Sequence, residues 1–290
     1  MTPDYAAMSD VELKAAEQEI ARRYLNRIPW RIVFWGFANT ACWLALWPLV
    51  FLDVIPLWLG FILATVNFML FYLPSHEVQH SIVARPGEKL RWLNELVGHV
   101  SSMPMAIPFR VFRETHMQHH KYANDPELDP DYDTHADTPL GALWASVRAR
   151  QPRPVAGRGH LYGLCLQRLE RGDLILEATI YKLVFFAILA VLAWSGYALE
   201  AALLWWLPKH IGTTYLHFYL SWAPHNPQLG VGRYQDTRSF KSIFGNLGSM
   251  GMQYHIVHHL YPRIPLSLTP AAFRELKPLL QKRGCDLGAL

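Results

Sequence analysis

Cysteine and charged residues are both scarce in this chain of 290 residues. The three cysteines, Cys42, Cys165 and Cys285, form no CxxC pair, which excludes a disulfide framework and a cysteine metal site. Charged residues make up 17% of the chain, fewer than in an average soluble domain, whereas hydrophobic residues make up 51%. The N-terminus lacks the basic region and cleavage site of a secretory signal peptide. The sequence also lacks a basic cluster interleaved with aromatic residues, which would indicate nucleic-acid binding. We therefore expect a membrane protein that does not bind nucleic acid.

Long apolar runs predict four membrane-spanning helices, because about 20 apolar residues cross the hydrocarbon core as a helix. These runs form two hairpins, at residues 32–52 and 54–73 and at residues 181–197 and 201–222. Apart from Lys209 in the fourth span, the 27 Lys and Arg residues lie outside the spans or at a span's end. The positive-inside rule then places both termini and the middle segment in the cytoplasm.

These spans predict an all-α fold, in which four transmembrane helices in two hairpins carry a cytoplasmic helical cap. Ser9 and Glu12 have the spacing of a capping box, which predicts an amphipathic helix on the membrane surface or on the cytoplasmic domain. The predicted regions are an N-terminal cytoplasmic helix at 1–31, a membrane domain at 32–275 with a cytoplasmic segment at 75–180, and a C-terminal tail at 276–290.

Proline residues predict two further boundaries. The stretch from Thr138 to about Gly163 is rich in Pro, Gly and Arg, which predicts a mobile linker. Thr269 and Pro270 predict the start of a last short helix that Pro278 ends or kinks.

Three short stretches hold eight of the fourteen histidines. HEVQH at 76–80 places two histidines at i and i+4, while HMQHH at 116–120 and HIVHH at 255–259 each place three at i, i+3 and i+4. On a helix, residues at these spacings share one face. Eight imidazoles exceed the three or four ligands of one zinc ion and suit two metal ions. The eight are His76, His80, His116, His119, His120, His255, His258 and His259.

The surroundings of these histidines favour a redox metal. Imidazole binds iron, copper and zinc about equally, so the ligand type alone does not identify the metal. A multi-histidine site at the cytoplasmic mouth of a membrane cavity meets a lipid-soluble substrate and a soluble electron donor, and activation of O2 requires iron or copper. The chain shows no heme, flavin or iron–sulfur motif, so its electrons would come from a separate protein. We predict no catalytic residue beyond the metal site.

The fourth predicted span carries polar residues along one side. Because polar groups in a membrane helix are costly, they generally face a cavity, a partner or a site. We therefore expect this side to line the chamber that holds the histidines. The polar residues are Lys209, His210, Thr213, Thr214, His217, Ser221 and His225.

The three histidine stretches, in this order and between two hairpins, resemble the integral-membrane fatty acid desaturase and hydroxylase superfamily over roughly residues 30–275. VFRETHMQHHKYANDPELDPD, SWAPHNP and MQYHIVHHLYPRIP resemble bacterial carotenoid ring hydroxylases and ketolases more than acyl desaturases. The resemblance implies two iron ions, O2 as co-substrate and a ferredoxin-like electron donor. It also implies that His225 is a further iron ligand.

Polar side chains near the histidines are expected to orient them. Glu77, Asp125 and Asp129 are predicted to accept the free ring N–H of ligating imidazoles. Two positions depart from the resemblance: Glu77 stands where carotenoid oxygenases of this type usually have Asp, and Ser221 stands where relatives have acidic or amide side chains.

Together these features predict O2-dependent oxidation of unactivated C–H bonds in a lipid. The preferred substrate is the end ring of a carotenoid, and desaturation of an acyl lipid is the alternative. HEVQH also matches the HExxH pattern of zinc proteases, with Glu77 as general base. A metal transporter without catalysis is a third alternative, although it would need ligands near the midplane of several spans.

Overall fold

The computed structural model describes residues 5–151, 157–226 and 230–290, and within these ranges its regular secondary structure is entirely helical. The all-α fold class is thus confirmed.

The N-terminal helix packs on the C-terminal part of the chain. A 3-10 turn at Tyr5–Ala7 precedes α1 (Asp10–Arg22). The predicted capping box is present, since the Ser9 N–H donates to Glu12 Oε2 at 2.8 Å and the Glu12 N–H donates to Ser9 Oγ at 3.4 Å. The apolar side of α1 is buried in a hydrophobic cluster with the last helices of the chain, so α1 packs on these C-terminal helices.

Three helical stretches are long and apolar enough to cross a membrane. The first is α2 (Trp30–Phe51), and the second joins α3 (Leu57–Leu70) to α4 (Tyr72–Gln79). The third is α9 (Gly172–Trp194), which begins nine residues before the predicted span and has only 11% of its apolar window buried. Such wide apolar exposure is what a lipid-facing helix requires.

The fourth predicted span is helical but irregular. It comprises α10 (Ala198–Ala201), a π-helix, α11 (Leu207–Leu216), a second π-helix and a 3-10 turn that ends at His225. Its polar residues lower its hydropathy, and it is not among the three stretches found in the described residues. The four-span topology therefore stays a prediction. The two π-helices are Ala202–Trp206 and His217–Trp222, and the 3-10 turn is Ala223–His225.

Between the hairpins the chain folds into short helices. The linker predicted between Thr138 and about Gly163 is wrong at both ends, because a helix lies at each end. The first helix follows its N-cap Thr138, whose side chain accepts the N–H of Gly141, and the second begins at Arg158. The centre of that linker, residues 152–156, lies outside the described residues. The elements are α5 (Arg91–Ser102), a 3-10 turn (Met103–Met105), α6 (Phe109–Tyr122), a 3-10 turn (Tyr132–Thr134), α7 (Pro139–Ala149) and α8 (Arg158–Arg168).

The C-terminal elements form a second packed region. Pro278 lies inside the last helix without ending it, and Leu276, Leu279 and Leu280 are fully buried against α1 and the helix that carries HIVHH. The last residues are thus part of the folded domain. The elements are α12 (Gly245–Gly248), a 3-10 turn (Met252–Tyr254), α13 (His255–Leu260) and α14 (Thr269–Lys282).

An aromatic core joins the helices of the two hairpins. The Trp43 ring meets Phe68, Phe71 and Trp205 edge-on, with centroids 6.0, 6.1 and 5.3 Å apart. Both indoles are hydrogen-bonded: Trp43 Nε1 donates to the Leu204 carbonyl at 2.9 Å, and Trp205 Nε1 donates to the Pro104 carbonyl at 2.7 Å. This core fixes α2 and α3 against the π-helix before α11.

Candidate metal centre

Nine histidines converge in two adjacent groups, and they are the nine named from the sequence and the resemblance. Within each group the candidate ligand atoms all lie within 4.8 Å of one another. The five-histidine group consists of His76, His80, His116, His120 and His258, and the four-histidine group consists of His119, His225, His255 and His259.

The HxxHH spacing divides each triplet between the two groups. On α6, the i and i+4 residues His116 and His120 point into the five-histidine group, while His119 points into the other. On α13 the division is reversed, because His255 and His259 share the four-histidine group and only His258 points away. One helical turn thus serves two sites, since residues four apart lie on one face and the residue at i+3 is rotated from it.

In the five-histidine group the Nε2 atoms approach one another closely. His80 and His116 are 2.9 Å apart, His116 and His120 are 3.1 Å apart, and His120 and His258 are 3.1 Å apart, all between Nε2 atoms. Two imidazole nitrogens about 2.1 Å from one ion and at a right angle to each other lie about 3 Å apart. The convergence of so many ring nitrogens in a buried volume therefore fits a bound metal ion.

In the four-histidine group, hydrogen bonds on Nδ1 set the orientation of three rings. His119 Nδ1 donates to Asp129 Oδ1 at 2.9 Å, and His225 Nδ1 donates to the Asp236 carbonyl at 2.7 Å. His255 Nδ1 donates to Met252 Sδ at 3.1 Å. A proton held on Nδ1 leaves the lone pair on Nε2. The buried Nε2 atoms of His225, His255 and His259 have no hydrogen-bond partner in the described residues, as expected of metal ligands.

Two residues that the sequence did not indicate complete this arrangement. Asn124 donates its side-chain N–H to the Asp236 carbonyl, and its main-chain N–H donates to Asp129 Oδ2 at 3.0 Å. Asp236 Oδ1 lies 3.8 Å from His259 Nδ1. Asn124 has a φ of 68°, a left-handed conformation that Asn adopts more readily than most residues. The run YAND, which ends α6, was the available signal for such a turn.

Burial keeps most of these imidazoles neutral. It lowers the pKa of six of them below the ordinary histidine value, and neighbouring imidazoles add to the effect. His119 differs, because burial lowers its pKa but the charge and hydrogen bond of Asp129 outweigh this and raise it to about 9. Neutral imidazole is the form that binds metal. The six are His80, His116, His120, His255, His258 and His259.

The four side chains predicted to support the ligands have different surroundings. Asp129 contacts His119, whereas Asp125 Oδ1 accepts the N–H groups of Glu127 and Leu128 in a turn of the acidic loop, and its side chain has no hydrogen bond to a histidine. This is ordinary Asx-turn chemistry.

Glu77 and Ser221 also lack a hydrogen bond to any of the nine imidazoles in the described part of the chain. Glu77 is buried, and its Oε1 accepts the N–H of Leu266 at 2.8 Å. Ser221 lies in the second π-helix. The polar side of this segment faces α7 instead, where His217 Nδ1 and Ser146 Oγ are 2.9 Å apart.

A cavity of about 260 Å³ reaches the two groups from the surface. Its lining includes His120 and His259, one from each group, whose rings stack with centroids 4.2 Å apart. His120 is partly exposed, whereas the side chain of His259 is only 2% exposed and the other seven histidines are buried. The cavity therefore ends at the edge of the centre, beside one histidine of each group.

The sequence of the chain matches the family model described as Fatty acid desaturase over residues 52–287. This chain belongs to the fatty acid desaturase family. The superfamily predicted from the histidine motifs is thus confirmed, and its carotenoid branch stays a prediction.

Individual relatives are desaturases of acyl lipids. The chain is 23% identical over 245 residues to an sn-1 acyl-lipid omega-3 desaturase (ferredoxin) of Nostoc sp. (strain 36), which covers 73% of this chain and 65% of that protein. It is 38% identical over 79 residues to an sn-1 oleoyl-lipid 12-desaturase of Anabaena variabilis, which covers 27% of this chain and 21% of that protein. The chain thus spans less than two thirds of the length of either relative.

Proposed function

We propose that this protein is a membrane oxidoreductase that desaturates acyl chains of lipids, using two iron ions, O2 and electrons from a ferredoxin-like protein. The observation that carries the proposal is the division of nine histidines into two adjacent groups beside apolar helices. The named relatives act on acyl lipids, and one of them is described as using ferredoxin. They favour an acyl chain over a carotenoid ring as the substrate.

The nine histidines would hold the two ions, which supply the activation of O2 and the removal of hydrogen from an unactivated C–H bond. The chain's own residues fix the ligands. Asp129, the Asp236 carbonyl and Met252 each hold a proton on Nδ1, which keeps the Nε2 lone pairs of His119, His225 and His255 free. Burial of most of the imidazoles limits the access of water and strengthens electrostatic interactions within the centre.

Carotenoid ring hydroxylation or ketolation is the second candidate, favoured by the sequences that flank the histidines. One experiment separates the two. The protein is expressed with a ferredoxin in a bacterial host that makes β-carotene, and the lipids and pigments are analysed by mass spectrometry. Fatty acids lighter by two hydrogens support the desaturase, whereas carotenoids that have gained oxygen would replace it with the second candidate. His119→Ala serves as the inactive control.

The zinc protease and the transporter have less support. A general base must reach the water that it activates, but Glu77 is only 1% exposed, and its Oε1 is hydrogen-bonded to the main chain of Leu266. A transporter would hold its ligands along several spans, whereas these histidines form two compact groups that draw eight of their nine members from outside the three candidate spans. Zinc without iron in the purified protein would reverse this ranking.

We further propose that both termini and the histidine groups are cytoplasmic, with residues 198–225 as the fourth crossing. The test uses a cysteine-free variant that carries one exposed cysteine, at Ser195 or at Lys14. A membrane-impermeant maleimide should label Ser195→Cys in intact cells and Lys14→Cys only after permeabilisation. Labelling of both in intact cells would contradict the topology.

A further inference from the structure

Arg150, at the end of α7, forms no ion pair with a carboxylate in the described residues. Its guanidinium lies against α11, and its Nε is buried without a hydrogen-bond partner in the described residues. Among those residues, no acidic side chain lies within 4.0 Å of it, and its hydrogen bonds go to neutral groups alone. They join Nη1 to Ser146 Oγ at 2.6 Å, Nη2 to Thr214 Oγ1 at 2.6 Å and Nη2 to the His210 carbonyl at 3.3 Å.

The neighbouring Arg158, in contrast, forms ion pairs with two carboxylates. Arg158 donates to Asp131 Oδ1 at 2.5 Å and to Asp133 Oδ1 at 2.6 Å. Both arginines are partly buried, and each lies close enough to the other to feel its charge. Asp131 and Asp133 thus form their ion pairs with Arg158, whereas Asp133 acts on Arg150 only at longer range and the hydrogen bonds of Arg150 go to hydroxyl and carbonyl groups.

A second cation in this region has no partner either. Lys209 is one residue before His210, and its Nζ lies 5.1 Å from the ring centroid of Phe185. In the described part of the chain it forms neither an ion pair nor a side-chain hydrogen bond. Arg150 donates to the carbonyl of His210, the residue that follows Lys209, so the two cations are anchored at neighbouring positions of α11. Two partly buried cations without an ion-pair partner are costly, and an anion between them would lower that cost.

We propose that Arg150 and Lys209 bind the anionic group of the lipid substrate, a phosphate or a carboxylate. This inference rests on the proposed function and narrows its substrate class. The planar guanidinium suits an oxyanion, and the buried Nε–H is a free donor for it.

The position of the two cations suits an acyl lipid. Thr214, which holds Arg150, is eleven residues before His225 in one helical stretch, or about 16 Å at the helical rise. An extended acyl chain covers that distance, so a headgroup held here places its chain at the histidines. A carotenoid hydrocarbon has no anionic group to use this site.

Lipid binding by the purified, iron-loaded protein in a neutral detergent tests the proposal. The probes share oleoyl chains: dioleoylphosphatidylglycerol, oleate, and uncharged dioleoylglycerol. We expect one anionic probe to bind at least about tenfold tighter than dioleoylglycerol. Preference for the phospholipid identifies a phosphate, and preference for oleate identifies a carboxylate. Equal binding of all three would overturn the proposal.

Variants test whether the two cations cause the preference for an anionic probe over dioleoylglycerol. Arg150→Gln and Lys209→Met should each abolish most of this preference, while Arg150→Lys should keep part of it. The control is Arg148→Gln, an exposed arginine on the same helix, which should bind like the wild type. If Arg150→Gln does not fold, Lys209→Met decides, and an unchanged preference in that variant overturns the proposal.

Measuring turnover in parallel distinguishes failure of this inference from failure of the proposed function. If the protein desaturates lipids but shows no preference for an anionic probe, the anion site is contradicted and the proposed function is not. If it prefers an anionic probe but oxidises no lipid, the proposed function is contradicted and the anion site is not.

Discussion

The side chain of Asn124 donates to the main-chain carbonyl of Asp236 at 2.8 Å, across 112 positions of sequence. The same carbonyl accepts the Nδ1 proton of His225, and the main-chain N–H of Asn124 donates to Asp129, which in turn accepts from His119. One asparagine thus connects the supports of two histidines that come from distant segments. The four-histidine group depends on this connection for its geometry.

Removal of the Asn124 amide should loosen the four-histidine group. Asn124→Ala loses the bond to Asp236 and also strains a left-handed residue, whereas Asn124→Gly loses the bond without the strain. We expect both variants to bind iron about 10- to 100-fold more weakly at one of two sites. Competition with a chelator measures this. Wild-type iron affinity in Asn124→Gly would show that the amide is not needed.

Asp129→Asn should weaken iron binding, because the carboxylate that accepts from His119 Nδ1 becomes a neutral amide. The loss should again be about 10- to 100-fold. Asp125→Asn is the matched control from the same loop, since within the described residues the Asp125 carboxylate accepts main-chain N–H groups of its own turn. Equal iron affinities in these two variants would contradict the role given to Asp129.

The two groups should bind their metals separately. His258→Ala removes a member of the five-histidine group, and His255→Ala removes a member of the other. Each variant should retain about one iron per chain where the wild type holds about two, measured by elemental analysis of purified protein. His160→Ala, outside both groups, should retain both irons. Two irons in His255→Ala and in His258→Ala would refute the assignment.

Gly212 should tolerate no side chain. A Cβ added there would lie 2.6 Å from Phe68 Cβ and 2.7 Å from its carbonyl carbon, so Gly212→Ala must push α11 away from α3. We expect a loss of about 1–3 kcal/mol in the free energy of unfolding. Gly163→Ala is the control, because a Cβ there meets no atom within 4 Å. Denaturation in detergent should show it as stable as the wild type or slightly more stable.

Acid should destabilise the iron-free protein. Six histidines of the two groups have a pKa that burial lowers in the folded protein, but they titrate near 6.5 when unfolded. Below about pH 6.5 the unfolded chain therefore binds more protons, and stability falls with pH. His119, with its pKa raised to about 9, acts oppositely only above about pH 6.5. A melting temperature at pH 5.5 equal to or above that at pH 6.5 would contradict this expectation.

The histidines were predictable because their signal is local. The i, i+3 and i+4 spacings within five-residue stretches are visible in the sequence, and the structure gathers all eight with His225. Asn124 and Asp236 were missed because their contacts join residues more than a hundred positions apart. Nothing in the local sequence distinguishes that asparagine from one in an ordinary turn.

The error in the predicted linker comes from averaging over composition. Pro, Gly and Arg around residues 138–163 suggested a linker, but Thr138 and Pro139 stand at the N-cap and first position of α7 and were the better signal. In the fourth predicted span the polar side was visible in the sequence, whereas the two π-helices were not predicted.

The order of the histidines along the chain determines when, during synthesis, all the histidines of each group are present. Three of the four members of the four-histidine group, and the last member of the five-histidine group, follow residue 224. The first three apolar helices are therefore made before a ribosome has supplied a full ligand set for either metal. A nascent chain that stops short of α13 can hold neither group whole, so under the proposed function we expect the two irons to be loaded late in biosynthesis.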